Sequence, residues 1–514
     1  METDLSGGRN YVLRALELFT EYGGREALVR GERRFTYAGL SAAVKDLAAA
    51  AHHNGISSGM TVAVLVGRAL EAPILQLALH ALGTRTVWID LDNLRRDLPE
   101  YLALVQPDAL LYDARTQDVF GREIAGMLGT PVLCLGPGGL GPDLLTEHHE
   151  FNPAWATHEP ESVFQTSGTT GRPKLVHHRE SFYRQVLELG EELATEPPVR
   201  HQSVSALSYM AGQISALIYL FAGGTLILLE GFEITGYLAT LERERVTSVF
   251  ISPPVLYLLL DSPLLDTTDL SNLRLVSVGA APATVPRLRQ AIRRFGPIVR
   301  ITYGLSECPF IAAYPGIDEP RLRSCGQPYG DVRVEIRDEL GAAMAPHEVG
   351  ELWVSSRLNF AGYFGQPSET ADTLVDGWVR TRDLGYRDED GYLFLVGRNQ
   401  DMIIAGEYCE KIYPRPIEDV LTGHPDVRAA AVIGVPEPEF GEAAHAYVVL
   451  SAGATVTSDE LSTLVRTELA EEWVPASFEF VDSLPLTAIG KVNTGALRRR
   501  YADEHGGAVV GTPA

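Results

Sequence analysis

Cysteine is scarce in this chain. The four present, Cys134, Cys308, Cys325 and Cys409, stand far apart in 514 residues with no CxxC pair. That spacing excludes a zinc ribbon or a disulfide framework and fits a reducing, cytoplasmic compartment. Basic side chains are in deficit, 43 against 67 acidic, for a net charge of -24. Such acidity disfavours nucleic acid and anionic membrane as partners. The one compact basic run, Arg498-Arg499-Arg500, reads as a solvated helix end. Long apolar runs are missing too. The longest, Ile214 to Leu229, is broken by Gly223-Gly224 and falls short of a membrane span; it reads as a buried helix, a turn and a strand. The opening METDLSGGRN lacks the apolar centre of a secretion signal, and no internal repeat is visible.

What is present is an ordinary globular composition, 45% hydrophobic and 21% charged, in a length that suits about three domains. Short β-branched runs alternate with helical patterns: 61–66, the helical stretch 69–82, 86–89, 109–112, 132–135, 248–251, 273–278 and 299–303. Strand, helix, strand at this spacing predicts α/β architecture, with parallel or mixed sheets covered by helices. From about Gly326 the runs 332–336, 351–354 and 392–396 alternate apolar and polar residues around turns such as Asp390-Gly391, which predicts antiparallel β structure. A smaller α+β pattern follows, with helices at 415–421 and 458–470 and strands at 429–433 and 444–450. The expected organisation is a large part over 1–398, a hinge at 399–402, a small domain over 403–502 and a disordered tail at 503–514.

The chemistry starts at "TSGTTGRPK", Thr166 to Lys174. Gly168 and Gly171 let backbone N–H groups close around an anion. Thr166, Ser167, Thr169 and Thr170 add hydroxyl donors, and Arg172 and Lys174 add charge. The GK[ST] ending of the common nucleotide loop is absent, so a different phosphate loop is implied. Nine consecutive residues resemble the signature of the adenylate-forming superfamily: acyl-CoA synthetases, nonribosomal-peptide adenylation domains and luciferase-like enzymes. Further stretches fall in that family's order over nearly the whole chain.

Ser277-Val278-Gly279-Ala280-Ala281-Pro282 resembles the segment lining adenine and the acyl pocket, where small residues let a flat base approach the backbone. Thr302-Tyr303-Gly304-Leu305-Ser306-Glu307 resembles the YGxTE motif, with Ser306 for threonine. The resemblance implies that Tyr303 stacks on adenine, Ser306 touches the α-phosphate and Glu307 holds Mg²⁺, roles that suit an aromatic face and a hard carboxylate. Thr381-Arg382-Asp383 resembles TGD, with Asp383 accepting from the ribose hydroxyls and Arg398 reaching ribose or phosphate. Leu484 to Asn493 resembles the C-terminal lysine motif, which makes Lys491 the expected catalytic residue. An ammonium there would stabilise the extra charge as a carboxylate attacks the α-phosphorus. The family's fold implies a distorted β-barrel in the antiparallel region and a mobile C-terminal domain.

Four departures stand out. Leu175 replaces a common glycine after Lys174. Arg382 occupies the glycine position of TGD, where it is expected to crowd the loop. Ser208-Tyr209 stands where many members carry an aromatic–histidine pair, so Tyr209 is expected to face the acid, with Gly212, Gln213, Ser277 and Gly304 in the same pocket. Met210 and the stretch 308–311 are expected to border it. The short hairpin after the hinge is lengthened and made acidic over Ala405 to Pro414, and Gln400 holds the usual hinge Asp or Lys position.

The expected activity is ATP-dependent activation of a small carboxylic acid to an acyl-adenylate with release of pyrophosphate. Coenzyme A is the first expected acceptor, an amine the next and the phosphopantetheine of a carrier protein the third. Two rivals stay open: a nonenzymatic nucleotide-binding regulator on the same scaffold, and an ATPase cleaving at the γ-phosphate.

Overall fold

The β-branched runs form the strands of two large sheets. The computed structural model describes residues 10–90, 98–165, 174–314, 321–405, 410–437, 441–451, 453–486 and 492–505. A seven-stranded sheet runs in the order Gly362–Tyr363, Leu175–His178, Glu161–Gln165, Arg85–Trp88, Thr61–Leu65, Ala109–Asp113, Val132–Leu135. A nine-stranded sheet runs Gln327–Pro328, Ala312–Tyr314, Val299–Tyr303, Leu275–Val278, Ser248–Ile251, Arg200–Ser203, Thr225–Leu228, Glu26–Arg30, Arg33–Thr36. Both are parallel at their centres and antiparallel toward an edge. Central strands such as Thr61–Leu65 are buried at every position, because helices cover both faces.

Five helices lie between the sheets: Tyr11–Tyr22, Tyr37–His53, Ala72–Ala81, Glu180–Glu192 and Met210–Phe221. Their apolar sides share one core with Val62 and Val64 of one sheet and Leu28, Leu226 and Leu228 of the other. The alternate residues of the same strands face outward. Ala63, Leu65 and Val87 pack in a second core with Ile124. Val249, Val276 and Val299 pack in a third with Leu238, Leu256 and Leu288. The period-two pattern thus sorts each strand between an inner and an outer core.

The run from Ile214 to Leu229 is a helix, a Gly-Gly turn and a strand, as its composition predicts. Residues 333–398 form an antiparallel sheet, with Trp378–Arg387 pairing both Gly350–Ser355 and Leu393–Arg398. A single 3-10 turn, Asn399–Asp401, leads to the last unit. That unit is a five-stranded sheet centred on the long pair Val427–Glu437 and Gly441–Leu450, with helices Pro414–Leu421, Ser458–Glu468 and Thr494–His505. The final helix continues through His505, into the segment expected as a tail; residues 506–514 lie outside the described residues.

The basic run is solvated at Arg499 and Arg500, as expected, but lies within the final helix rather than at its end. Arg498 pairs with Asp401 at 3.0 Å, and Arg500 pairs with Glu479 and with Glu504 one turn on. Cys134, Cys308 and Cys325 are buried free thiols, and Cys409 lies outside the described residues. Among the described residues no helix is long and apolar enough to cross a membrane.

One buried ionic cluster joins the two large sheets. Glu71, its side chain 3% exposed, accepts from Arg115 at 2.9 and 3.1 Å and from Arg33 on the edge of the nine-stranded sheet. Arg115 is also held by Asp113 at 2.8 Å. Burial alone would raise the Glu71 pKa, but the two guanidinium groups outweigh it and hold the carboxyl at about 2 instead of 4.5. A depressed carboxyl contributes stability above pH 4.5 that is lost as pH falls toward 2. Glu71→Gln leaves two arginines without their shared anion and should cost about 3 kcal/mol at pH 7 by urea unfolding. The difference from wild type should shrink as pH drops below 4.5; a gap independent of pH would contradict this electrostatic account.

Candidate functional site

Tyr303, Asp383 and Arg398 meet where the nine-stranded sheet, the antiparallel sheet and the hinge turn come together. Gly279 follows strand Leu275–Val278, and Thr302 and Tyr303 end the neighbouring strand. A Cβ on Gly279 would lie 2.4 Å from Thr302 Oγ1 and 3.1 Å from the Phe250 ring, so no side chain fits there. Ala280 is left-handed at φ +67°, which turns the chain sharply and leaves Ala280 and Ala281 open at the rim. Gly304 is equally constrained: a Cβ would come within 1.9 Å of the Pro309 carbonyl.

Tyr303 and Asp383 are 80 residues apart, and the Tyr303 hydroxyl donates to Asp383 Oδ2 at 2.6 Å. Arg398 lies opposite Asp383 in the antiparallel register and donates through Nε to Oδ1 at 2.9 Å. Burial, then the Asp383 charge, pushes the Tyr303 phenol well above its ordinary value, so it stays a donor. The Asp383 carboxylate, with Tyr303 and Glu307 nearby, raises the Arg398 pKa.

Arg382 does not displace Asp383. It adopts φ +61°, a strained conformation for a bulky residue. Its guanidinium turns outward to Asp372, and its N–H donates to Glu351 Oε1 at 3.2 Å. Thr381 Oγ1 accepts from the Asp383 N–H at 3.1 Å and donates to the Leu352 carbonyl at 2.8 Å. A bulge in this pairing aims Asp383 inward.

Glu307 accepts at Oε1 from the Tyr363 hydroxyl at 2.7 Å, and its carbonyl accepts from the Phe360 N–H. Lys174 Nζ lies 4.9 Å from the Tyr363 ring centre, so one tyrosine touches both the glutamate and the lysine. The Ser306 carbonyl is 2.9 Å from His178 Nε2; burial holds that imidazole near a pKa of about 3, hence neutral and donating. Tyr363 and His178 stood outside the sequence reading. Their only sequence signal is position: His178 follows the phosphate loop by a few residues, and Tyr363 precedes the turn into Pro367.

A carboxylate with one oxygen engaged by a phenol suits a hard, octahedral ion that keeps water and phosphate oxygens as its other ligands. No group of three or more metal-binding side chains occurs among the described residues. Glu307, a single carboxylate beside Tyr363, fits Mg²⁺ carried in with a nucleotide whose phosphate oxygens supply further ligands.

Thr166, Ser167, Gly168, Thr169, Thr170 and Gly171 lie outside the described residues, as does Lys491. Their flanks are placed. Gln165 pairs with Leu175 in an antiparallel register, and Leu175 is fully buried on its strand. On either side of 487–491, a bridge joins Leu486 and Val492, and the Asn493 N–H donates to the Pro485 carbonyl at 2.8 Å. Residues 406–409 also lie outside, between the paired strands Ile403–Ala405 and Glu410–Ile412.

The acyl-pocket residues separate. Tyr209 caps helix Met210–Phe221 half-buried, and Ser277 is half-buried on its strand. Gln213 is 1% exposed and accepts from Tyr183 at 2.8 Å in the inner core. Gly212 faces the Ala206 carbonyl, 2.2 Å from where its Cβ would be.

Residues 17–364 match the family model described as AMP-binding enzyme, and residues 416–491 the AMP-binding enzyme C-terminal domain. The chain is 38% identical over 357 residues to the medium/long-chain-fatty-acid–CoA ligase FadD8 of Mycobacterium tuberculosis, covering 67% of this chain but 62% of that ligase, less than two thirds of its length. It is 37% identical over 351 residues to a feruloyl-CoA synthase of Amycolatopsis sp, covering 66% and 69%. Among solved structures, the amide bond synthetase McbA from Marinactinospora thermotolerans matches with TM-score 0.87 and 34% identity, covering 95% of this chain and 100% of that one. The o-succinylbenzoate CoA synthetase of Bacillus subtilis, in complex with an acyl-adenylate, matches with TM-score 0.81 and 26% identity, covering 95% and 98%. The chain therefore belongs to the AMP-binding, adenylate-forming enzymes, a family of ATP-dependent, AMP-forming ligases.

Proposed function

We propose that this chain activates a small carboxylic acid with ATP, releases pyrophosphate, and passes the acyl group from the adenylate to an amine. The convergence of Tyr303, Asp383, Arg398 and Glu307 carries the first half of this reading. Asp383 accepts from the ribose hydroxyls, Tyr303 offers its ring face to adenine, and Arg398 holds Asp383 in place through its Nε–H bond. The loop 166–174 cradles the departing β,γ-phosphates, with Ser306 toward the α-phosphate. Glu307 would hold Mg²⁺, which would supply neutralisation of phosphate charge.

The acid's carboxylate attacks the α-phosphorus, and Lys491 stabilises the charge gathered in that transition state. The C-terminal unit then rotates about Gln400, withdrawing Lys491 and bringing in the hairpin at 405–414. The second half needs mostly positioning of the acceptor, because AMP is a good leaving group.

Two observations support an amine. The likeness to the amide bond synthetase extends over nearly the whole chain at 34% identity. The hairpin that lines the pantetheine tunnel in thioester-forming relatives is lengthened and acidic here. Coenzyme A is the second reading, favoured by the ligases matched at 38% and 37% identity.

The test offers an accepted acid, ATP and equimolar coenzyme A and primary amine to the enzyme, with products read by mass spectrometry. Amide should predominate; acyl-CoA as the sole product would contradict the amine reading and leave coenzyme A as the acceptor. Lys491→Ala should lower carboxylate-dependent pyrophosphate exchange by about 10²- to 10³-fold with the circular dichroism spectrum unchanged. Near-normal exchange in that variant would remove Lys491 from the transfer step.

A further inference from the structure

Resting on the reading that Glu307 holds Mg²⁺, we infer that Tyr363 is a positioning residue that makes Glu307 a one-oxygen ligand and so sets a preference for Mg²⁺ over Ca²⁺ in nucleotide binding. Residues 360–366 form a strap between Glu307 and the strand that follows the phosphate loop. Toward Glu307 the strap makes two bonds. The Phe360 N–H donates to the Glu307 carbonyl at 2.8 Å, and the Tyr363 hydroxyl donates to Oε1 at 2.7 Å. Toward strand Leu175–His178 it makes three. The Ala361 N–H donates to the His177 carbonyl and the Phe364 N–H to the Leu175 carbonyl, both at 2.8 Å, and Gln366 Oε1 accepts from the Leu175 N–H at 3.1 Å. Glu307 is thus gripped at its backbone and at its tip by a segment anchored on another strand.

Tyr363 itself has little freedom. It is 6% exposed, in a small core with Val176, Phe360 and Val379, and its ring meets Phe360 edge-on with centres 4.9 Å apart. Its N–H donates to Thr370 Oγ1 at 2.8 Å. Packing alone would be served by phenylalanine. A phenol oxygen in an apolar core costs free energy unless it is bonded, and this one bonds Glu307.

Carboxylates that bind metals are commonly held by hydrogen bonds from groups that do not touch the metal, and those bonds tune affinity. Here the phenol engages Oε1 and leaves Oε2 outside the bond. A carboxylate held this way offers an ion one oxygen. That suits Mg²⁺, whose strict octahedron keeps water and phosphate oxygens as its other ligands. Ca²⁺ is larger, takes about six to eight oxygens and accepts both oxygens of one carboxylate. Without the hydroxyl, Oε1 is returned to the ion and the carboxylate can turn. No group of three or more metal-binding side chains among the described residues stands by to compensate. Lys174 Nζ lies 4.9 Å from the centre of the same ring, and Tyr363→Phe keeps that ring in place while removing only the hydroxyl.

The test measures ATP binding to the full chain by isothermal titration calorimetry, with the acid omitted, in EDTA, in Mg²⁺ and in Ca²⁺. In wild type, Mg²⁺ should tighten binding more than Ca²⁺ does. Tyr363→Phe should leave metal-free affinity within about twofold, weaken binding in Mg²⁺ by about 10-fold and in Ca²⁺ by less than about threefold, with circular dichroism unchanged. In a Glu307→Gln background, where the ligand is already lost, Tyr363→Phe should change binding in Mg²⁺ no further. Glu307→Asp, one methylene short of the phenol, should show the same fall in preference for Mg²⁺ over Ca²⁺ and serves if Tyr363→Phe does not fold. Equal weakening in all three media makes Tyr363 a structural residue and overturns the inference. So does a wild type that does not prefer Mg²⁺ to Ca²⁺, or a preference that survives the substitution. Wild-type binding that is the same with and without either metal counts instead against Glu307 as the metal holder, the reading on which the inference rests.

Discussion

The Asp383 carboxylate is the constraint on which the site depends. It is 6% exposed, and an ionised group so placed needs a partner for each oxygen. One partner, Tyr303, ends a strand of the nine-stranded sheet; the other, Arg398, ends the last strand before the hinge turn. Satisfying one buried charge therefore fixes three pieces of backbone relative to one another. It also orients the Tyr303 ring, because a phenol bonded at its tip keeps little freedom to rotate away. The strained conformation of Arg382 fits the same demand: the bulge aims Asp383 inward, and Asp372 and Glu351 hold the displaced side chain outside.

A second link works in parallel. Tyr363 bonds Glu307 at one end and lies under Lys174 with its ring. Strand Gly362–Tyr363 pairs with Leu175–His178, which leaves the phosphate loop. The loop's exit and the glutamate that suits a metal thus share one side chain. His178, neutral and buried, binds the carbonyl of Ser306 beside them. Two tyrosine–carboxylate bonds, Tyr303–Asp383 and Tyr363–Glu307, thus tie the strands of this region together.

Much of this was legible in the sequence. The runs 248–251 and 299–303 are strands because alternate β-branched residues serve two cores, a pattern visible without coordinates. Phosphate-loop and YGxTE-like motifs are legible because backbone approach to a ligand demands small residues in a set order. Gly279 and Gly304 are also required by the chain itself, since a Cβ would meet Thr302 and Phe250 at the first and the Pro309 carbonyl at the second. Contacts between distant segments were not legible. Nothing local to Tyr363 announces Glu307, 56 residues away, nor to Arg498 its partner Asp401, 97 away. Gln213 reads as a pocket polar group from its position near Tyr209, yet helical geometry turns it to Tyr183 and presents Ala211, Ser215 and Tyr219 instead. Burial of a helix on three sides depends on which elements surround it, and only the assembled layers supply that.

The account's central claim is that a carboxylate oxygen attacks the α-phosphorus at the Tyr303–Asp383–Arg398 junction. The most direct measurement supplies a turned-over acid with both carboxylate oxygens labelled as ¹⁸O and follows the label into the nucleotide product. Attack at the α-phosphorus makes a carboxylate oxygen the bridge of the mixed anhydride, and departure of AMP carries it away. The account predicts AMP containing one ¹⁸O per acyl group transferred. Label in inorganic phosphate alongside ADP, or AMP free of label, would contradict it.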